Sequence, residues 1–247
     1  MSSTATATRP VGPPPAGPDP VTPTGSRRRG LIRLAIVLLV MALIAGVVWL
    51  GYFSAALSAR EVTVRGVHEL SAEQVRAAAV VPLGRPMMRQ DVHAIAVRAA
   101  SLPGVQSASV VRDWPNTIEI TVVERRPLLA LRQPGGYLIV DKFGVGYQLK
   151  PFVPDGVLVV DANPDDRPLL TDLGTVASAL PGKLSGRLTT IRASSRYDIN
   201  LVLKSGVTVN WGDSSESKLK AAIATALLKK HPKTWIDVSS PHNPTTR

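Results

Sequence analysis

A chain of 247 residues without cysteine can form no disulfide, thiol nucleophile or Cys-ligated metal site. What remains that could do chemistry is scattered. The four histidines, His68, His93, His231 and His242, lack the spacing of metal ligands on one helix or hairpin. Asp165 and Asp166 are adjacent carboxylates of the kind used for acid–base work, but Pro164 and Pro168 flank them, which predicts a solvated loop. No serine sits in a Gly-x-Ser-x-Gly elbow. Gly144 and Gly146 follow a strand pattern, yet no capped helix comes after them to cradle a phosphate. Trp114 and Trp211 could bind a ligand by their faces; core or strand-edge packing is the simpler role. The residues therefore predict no catalytic set, no metal and no cofactor. Two classes of function remain: a non-enzymatic binding scaffold, or a membrane-tethered enzyme or wall-binding protein.

Charge narrows the partners. The formal net charge is +11. Residues 1–33 hold five Arg against Asp19, leaving 24 basic against 17 acidic residues in the rest. That surplus is spread thinly, with no basic stripe interleaved with aromatics, so no nucleic-acid partner is expected. Mild attraction to anionic lipid or acidic wall polymer is compatible with it.

The elements that must position these residues begin with an anchor. Residues 34–53, LAIVLLVMALIAGVVWLGYF, are twenty residues without a charge. At about 1.5 Å per residue such a helix spans roughly 30 Å, the hydrocarbon thickness of a bilayer, and it pairs its backbone groups internally. Arg27, Arg28, Arg29 and Arg33 precede it; Trp49, Tyr52 and Phe53 close it, where amphipathic aromatics favour the interface. The positive-inside rule then predicts a single-pass type II protein of the cell membrane, with a cytoplasmic N-terminus and everything after Ser54 outside. Two readings compete. A buried core helix is seldom apolar on every face for this length. A cleaved signal peptide would use Ala56-Leu57-Ser58, but signal h-regions usually run about 7–15 residues and rarely follow so long a tail.

Before the anchor, residues 1–30 are rich in Pro, Thr, Ser, Ala and Gly, and are expected to be a disordered tail. The anchor is assigned to 31–53. Beyond it, residues 61–67 alternate as a strand. Ser71 and Gln74 spell a capping box, with Leu70 and Val75 as its staple, and Pro82 and Gly84 are expected to end the helix. Asp91 caps a second helix carrying Val92, Ile95, Ala96 and Ala99. Residues 105–114 form a strand, Pro115-Asn116 a turn, and 117–124 a strand with Ile118, Ile120 and Val122 inward. This β-α-α-β-β order gives an α+β unit over 60–127, with two helices on one face of a three-stranded sheet.

Residues 128–241 read as a β-rich domain with two flanking helices. Strands are expected at 128–131, 137–140, 157–160, 188–192, 199–203, 207–211 and from Trp235. Lys204-Ser205-Gly206 makes a hairpin turn. Leu169, Leu173, Val176, Ala177 and Leu180 share one helix face. Asp213 with Glu216 is a cap signal before a stripe of Leu219, Ala222, Ile223, Ala226 and Leu227, which ends at Lys229-Lys230. Residues 242–247 are left as a C-terminal tail.

These segments resemble a known family. Val62-Thr-Val-Arg-Gly66, Leu102-Pro-Gly-Val105, Val111-Arg-Asp-Trp-Pro115 and Ile118-Glu-Ile-Thr-Val-Val-Glu-Arg-Arg-Pro127 look like the POTRA domain of the FtsQ/DivIB cell-division proteins. Gly136-Tyr-Leu-Ile-Val-Asp-Lys-Phe-Gly144 is similar to that family's strand and turn after POTRA, and Trp235-Ile-Asp-Val-Ser239 to its closing strand. The resemblance implies a single transmembrane helix, a POTRA domain and a β domain. It implies a non-enzymatic divisome protein at the division septum that binds FtsB-like and FtsL-like bitopic partners and helps control septal peptidoglycan synthesis. It implies septal recruitment through the POTRA domain. A POTRA chaperone for secreted polypeptide is the alternative, but no outer-membrane barrel sequence accompanies this POTRA. The partner edge is assigned to Trp235, Ile236, Asp237, Val238, Ser239 and Ser240, because a chain-terminal strand often lies at a sheet edge and can accept another strand. Ser239-Ser240-Pro241 departs from the Arg and Tyr that family members often carry there, and Pro241 is expected to stop the pairing.

Overall fold

The computed structural model describes residues 12, 25–53, 57–229 and 234–246. Two compact units divide at Phe53. The first holds helix α1 (Gly25–Phe53). Its stretch Gly30–Tyr52 is long and apolar enough to cross a membrane. Large apolar side chains are exposed all along it, as suits a helix solvated by lipid. The helix starts at Gly25 rather than at residue 31, because arginines are good helix formers and nothing in that segment interrupts it. The arginine cluster therefore rides on α1. Apart from Gly12 and this overlap, the expected disordered tail lies outside the described residues, as do Lys230 and His231.

The second unit opens with β1 (Glu61–Arg65), α2 (Ala72–Ala79), α3 (Val92–Ala100), β2 (Val105–Asp113) and β3 (Thr117–Glu124). The sheet order is β1-β3-β2, with β3 parallel to β1 and antiparallel to β2. Ile118, Ile120 and Val122 alternate into a core shared with Val75, Ala79, Ile95 and Ala99 of the helices. The capping box forms in full: the Gln74 N–H donates to Ser71 Oγ (3.1 Å) and the Ser71 N–H to Gln74 Oε1 (2.9 Å). Asp91 caps α3 through the Ala94 N–H. Helix α2 stops before Pro82, at Val80, whose φ of 44° is left-handed. A β-branched residue seldom adopts this conformation. Here Arg98 holds it in place by donating to the Ala79 and Val80 carbonyls.

The remainder builds a nine-stranded sheet from β4 (Leu129–Gln133), β5 (Gly136–Val140), β6 (Gly146–Lys150), β7 (Leu158–Asp161), β8 (Leu188–Ser195), β9 (Asp198–Leu203), β10 (Thr208–Gly212), β11 (Trp235–Asp237) and β12 (Thr245–Thr246), in the order β12-β11-β10-β9-β8-β7-β4-β5-β6. Helices α4 (Arg167–Ala179), α5 (Gly182–Ser185) and α6 (Ser217–Leu228) accompany it. Leu169, Leu173 and Val176 of α4 and Ala221, Ala224 and Leu228 of α6 share one core with the strands. The architecture is α+β throughout.

Two expectations about α6 are corrected. Asp213 and Glu216 do not form a capping box: Glu216 occupies the N-cap position at φ 47° and makes no side-chain cap bond. Asp213 instead accepts from the Ser215 N–H (3.0 Å) and from Lys220 Nζ (2.7 Å). The buried face is Ser217, Lys220, Ala221, Ala224 and Leu228, while Leu219, Ala222 and Ala226 are exposed. The alanines on both sides of this helix give little hydrophobic contrast, and Lys220, paired with Asp213, enters the core in place of Leu219. Strand β6 and short helix α5, absent from the sequence reading, complete the fold. Of the apolar run expected as a buried strand at 157–160, only Val160 is fully covered.

Candidate partner-binding edge

Strand β10 pairs antiparallel with β9 and parallel with β11, in the register Thr208↔Trp235, Val209↔Ile236, Asn210↔Asp237. The Thr208 N–H reaches Thr234 O, and the Val238 N–H reaches Asn210 O (2.9 Å), which extends the ladder one residue past β11. Alternation sends Ile236 and Val238 into the core and leaves Trp235, Asp237 and Ser239 half-buried and Ser240 exposed. Gly212 fixes the approach: at φ 73° it lies so near this segment that a Cβ there would stand 2.8 Å from Ser239 Cβ. A side chain at position 212 would force the two segments apart.

The edge differs from the expected one. Residue Pro241 does not end the structure. The Asn243 N–H closes a turn onto Ser240 O (3.0 Å), and β12 then pairs antiparallel with β11, Ile236↔Thr246 and Asp237↔Thr245. The sheet therefore ends on β12, in what was expected to be a plain tail. The reversal follows from a buried Pro at the second position of that turn, and from β-branched threonines that suit a strand. Ser239 offers no edge donor either, since its N–H donates to Asp237 Oδ1 (2.8 Å). The other Asp237 oxygen accepts from Asn210 Nδ2 (3.2 Å).

The edge is tied to both helices. Trp211 is fully buried and its Nε1 donates to Ser217 Oγ (3.2 Å); Ser217 Oγ donates in turn to Ser214 O (2.8 Å). Ser214 Oγ reaches Asp172 Oδ1 on α4 (2.9 Å), and Asp172 also pairs with Arg196, whose pKa rises through that hydrogen bond and charge. Lys220 is fully buried beneath and holds Asp213, whose carboxyl sits below its ordinary range first through that bond and then through Ser215.

A second polar cluster joins the two modules. Arg125 donates to Pro103 O (3.1 Å) and to Asp141 Oδ2 (2.6 Å). Asp141 Oδ1 accepts from the Phe143 and Val145 N–H groups of its own turn. Beside it, Glu124 accepts from the backbone of Glu69, His68 and Leu70. Burial alone would raise the Glu124 carboxyl; those three donors outweigh it and hold the group below its ordinary value. Tyr147 is pushed up to about 12 by burial, with the charges of Glu69 and Asp141 adding to it.

Neither cluster sets a nucleophile against a base. A cleft of about 800 Å³ beside α4 and α6 presents Phe143, Ala179 and Leu219 with Glu216 as the single carboxylate of its lining. Among the described residues no group of His, Asp or Glu side chains could hold a metal. Of the aromatics weighed as binders, Trp211 is core, whereas Trp114 is 48% exposed at the β2–β3 turn.

One apolar helix, a β-α-α-β-β module and a β-rich module with flanking helices define a membrane-anchored, two-module protein. Residues 57–125 match the POTRA domain, FtsQ-type, and residues 130–239 match the family Cell division protein FtsQ/DivIB, C-terminal. The chain is 36% identical over 216 residues to the cell division protein FtsQ of Streptomyces venezuelae, covering 83% of this chain and 80% of that one. It is 34% identical over 221 residues to FtsQ of Streptomyces collinus, covering 83% of each. Against FtsQ of Mycolicibacterium smegmatis it is 37% identical over 213 residues, 84% of this chain and 62% of that one. The chain belongs to the FtsQ/DivIB family of cell division proteins.

Proposed function

We propose that this chain is a non-enzymatic, bitopic divisome scaffold of the bacterial septum. Its sheet edge adds a strand from FtsB-like partners that act with FtsL-like ones, and through them it helps control septal peptidoglycan synthesis. The observation that carries this reading is the end of the nine-stranded sheet: among the described residues it finishes on β12, a two-residue exposed strand paired with β11 at Ile236 and Asp237. An incoming strand can extend β12 or replace it, gaining backbone hydrogen bonds while Trp235 and Asp237 tune specificity. Trp235, Ile236, Asp237, Val238, Ser239 and Ser240 thus keep a role, with Ile236 and Val238 fixing the strand from inside and Thr245 and Thr246 added at the rim. Recruitment to the septum is assigned to the POTRA module.

The positive-inside rule, applied to Arg27, Arg28, Arg29 and Arg33, supports a cytoplasmic N-terminus. A reporter that is active only outside the membrane, fused after Arg247, is expected to be active; cytoplasmic activity of that fusion refutes the orientation. For the edge, a photo-crosslinking residue at Thr245 or Thr246 is expected to capture coiled-coil bitopic proteins in cells, while the same residue at exposed Phe152 is not. Capture from Phe152 alone, or no capture from the rim, refutes the site.

A further inference from the structure

One end of the POTRA module collects exposed apolar groups around the point where the chain enters it. Ser58 bridges to Pro86, the Ala59 N–H donates to Arg85 O (3.0 Å), and the Arg60 N–H donates to Asn116 O (2.8 Å). These bonds gather the entry strand, the 80–90 loop and the β2–β3 turn at one place. The segments so gathered carry four exposed large apolar side chains, Val80 (63% exposed), Leu83 (60%), Met88 (43%) and Trp114 (48%). Soluble surfaces seldom bring so many exposed large apolar side chains into neighbouring loops.

The loop carrying them is braced from within. Gln90 Nε2 donates to Pro82 O (2.7 Å) and Arg85 O (3.3 Å). Arg112 donates to Met87 O (2.8 Å) and Gln90 O (2.6 Å). Val80 is kept left-handed by Arg98 (3.3 Å). Its carbonyls thus satisfied from the inside, the loop holds its apolar side chains outward without a collapse that would bury them. Segment 80–90 has arginines and no carboxylate. Exposed Arg60 and Arg85 flank the apolar group, and the nearby exposed carboxylates, Glu61 and Asp113, sit at the adjoining strand ends.

Covalent length supplies the remaining constraint. Phe53 is the last residue of α1 and Ser58 the first in the bridge. At about 3.3–3.6 Å per extended residue, Ser58 is tethered within roughly 18 Å of the anchor's end. We infer that this end of the POTRA module is a membrane-surface site: Val80, Leu83, Met88 and Trp114 enter the headgroup–acyl boundary and Arg60 and Arg85 bind anionic phospholipid headgroups. Tryptophan beside aliphatic side chains suits that boundary, and each arginine near an anionic surface adds attraction. The site gives the scaffold a second, non-helical hold on the bilayer, which restrains rotation of the folded unit about its tether.

The full chain has no cysteine, so Leu83→Cys, Met88→Cys and the control Tyr197→Cys (79% exposed, between β8 and β9) each accept one environment-sensitive fluorophore. Reconstituted without partners in phosphatidylcholine–phosphatidylglycerol vesicles, labels at 83 and 88 are expected to emit to the blue of the label at 197. They should be quenched by brominated lipid and resist aqueous iodide several-fold better. Labels at 83 and 88 that match 197 in all three readouts overturn the site, and so does protection that appears in cells but not in these vesicles, since a protein would then be the cover. Arg60→Gln with Arg85→Gln is expected to reduce the protection at 83; unchanged protection overturns the headgroup contact.

Discussion

Removing Asp213 should destabilise this protein far more than removing its partner Lys220. The Lys220 side chain is fully buried, whereas that of Asp213 is 42% exposed. Nζ has two acceptors, Asp213 Oδ1 (2.7 Å) and Asp213 O (3.0 Å). Asp213→Ala leaves a buried amine with the carbonyl alone. Stripping one partner from a buried pair costs about 3–5 kcal/mol; the retained carbonyl brings this to roughly 2–3 kcal/mol. For a folded unit of this size that is a fall in Tm of about 5–10 °C. Lys220→Met keeps the volume and leaves Asp213 to water, so the change should stay within about 1 kcal/mol. The double variant should return close to Lys220→Met. Urea and thermal unfolding of the chain lacking α1 measure all three. Acid gives a further check. The Asp213 carboxyl titrates below its ordinary value in the folded state, so the pair's contribution is complete above the unfolded pKa and is lost as pH falls through the folded one. The penalty of Asp213→Ala should shrink over that window. If Lys220→Met loses as much stability as Asp213→Ala, the pair is a net stabiliser and the desolvation reasoning is wrong.

Other outcomes follow from burial and linkage. Ile120→Asp places a carboxylate on the central strand of the POTRA sheet, where Ile120 is fully buried; a loss of several kcal/mol and of cooperative melting is expected, read by circular dichroism. Glu124→Gln should flatten the acid limb of the stability profile: the parent's Glu124 contribution is present above the carboxyl's ordinary pKa of 4.5 and disappears as pH falls through its depressed folded value. A parent and variant with the same acid limb would show that the loop of residues 68–70 does not depend on that charge.

Most of the fold was legible wherever a periodic pattern ran long enough to be read. The strand Thr117–Glu124 alternates over eight residues and appears with its expected bounds, and the Ser71–Gln74 box forms as spelled. The failures have physical causes. Gly146–Lys150 alternates only through Tyr147 and exposed Leu149, a pattern too short to mark a strand, so its pairing with β5 identifies it. A two-residue strand such as Thr245–Thr246 is too short for any period to show, and its existence depends on a turn that buries Pro241. In α6 Lys220 is core because Asp213 and its carbonyl accept from it, which hydropathy cannot anticipate. The candidate edge was legible as the segment Trp235–Asp237, but not the strand lying outside it. The apolar group at Val80, Leu83, Met88 and Trp114 was not legible at all, because hydrogen bonds between distant segments assemble it.

The bridge between Arg125 and Asp141 has a consequence for how such chains diversify. Arg125 is the last residue of the POTRA match, while Asp141 lies within the second match. A recombination crossover between 125 and 141, whether just before β4 or within the β4–β5 hairpin, therefore parts a guanidinium from the acid that neutralises it and orders the 141–145 turn. A chimera built at that seam inherits a working joint only if the incoming half brings an acid in the place of Asp141. Residues 57–239 are therefore expected to exchange better as one unit than as two halves, read by the melting temperature of chimeras cut at either place.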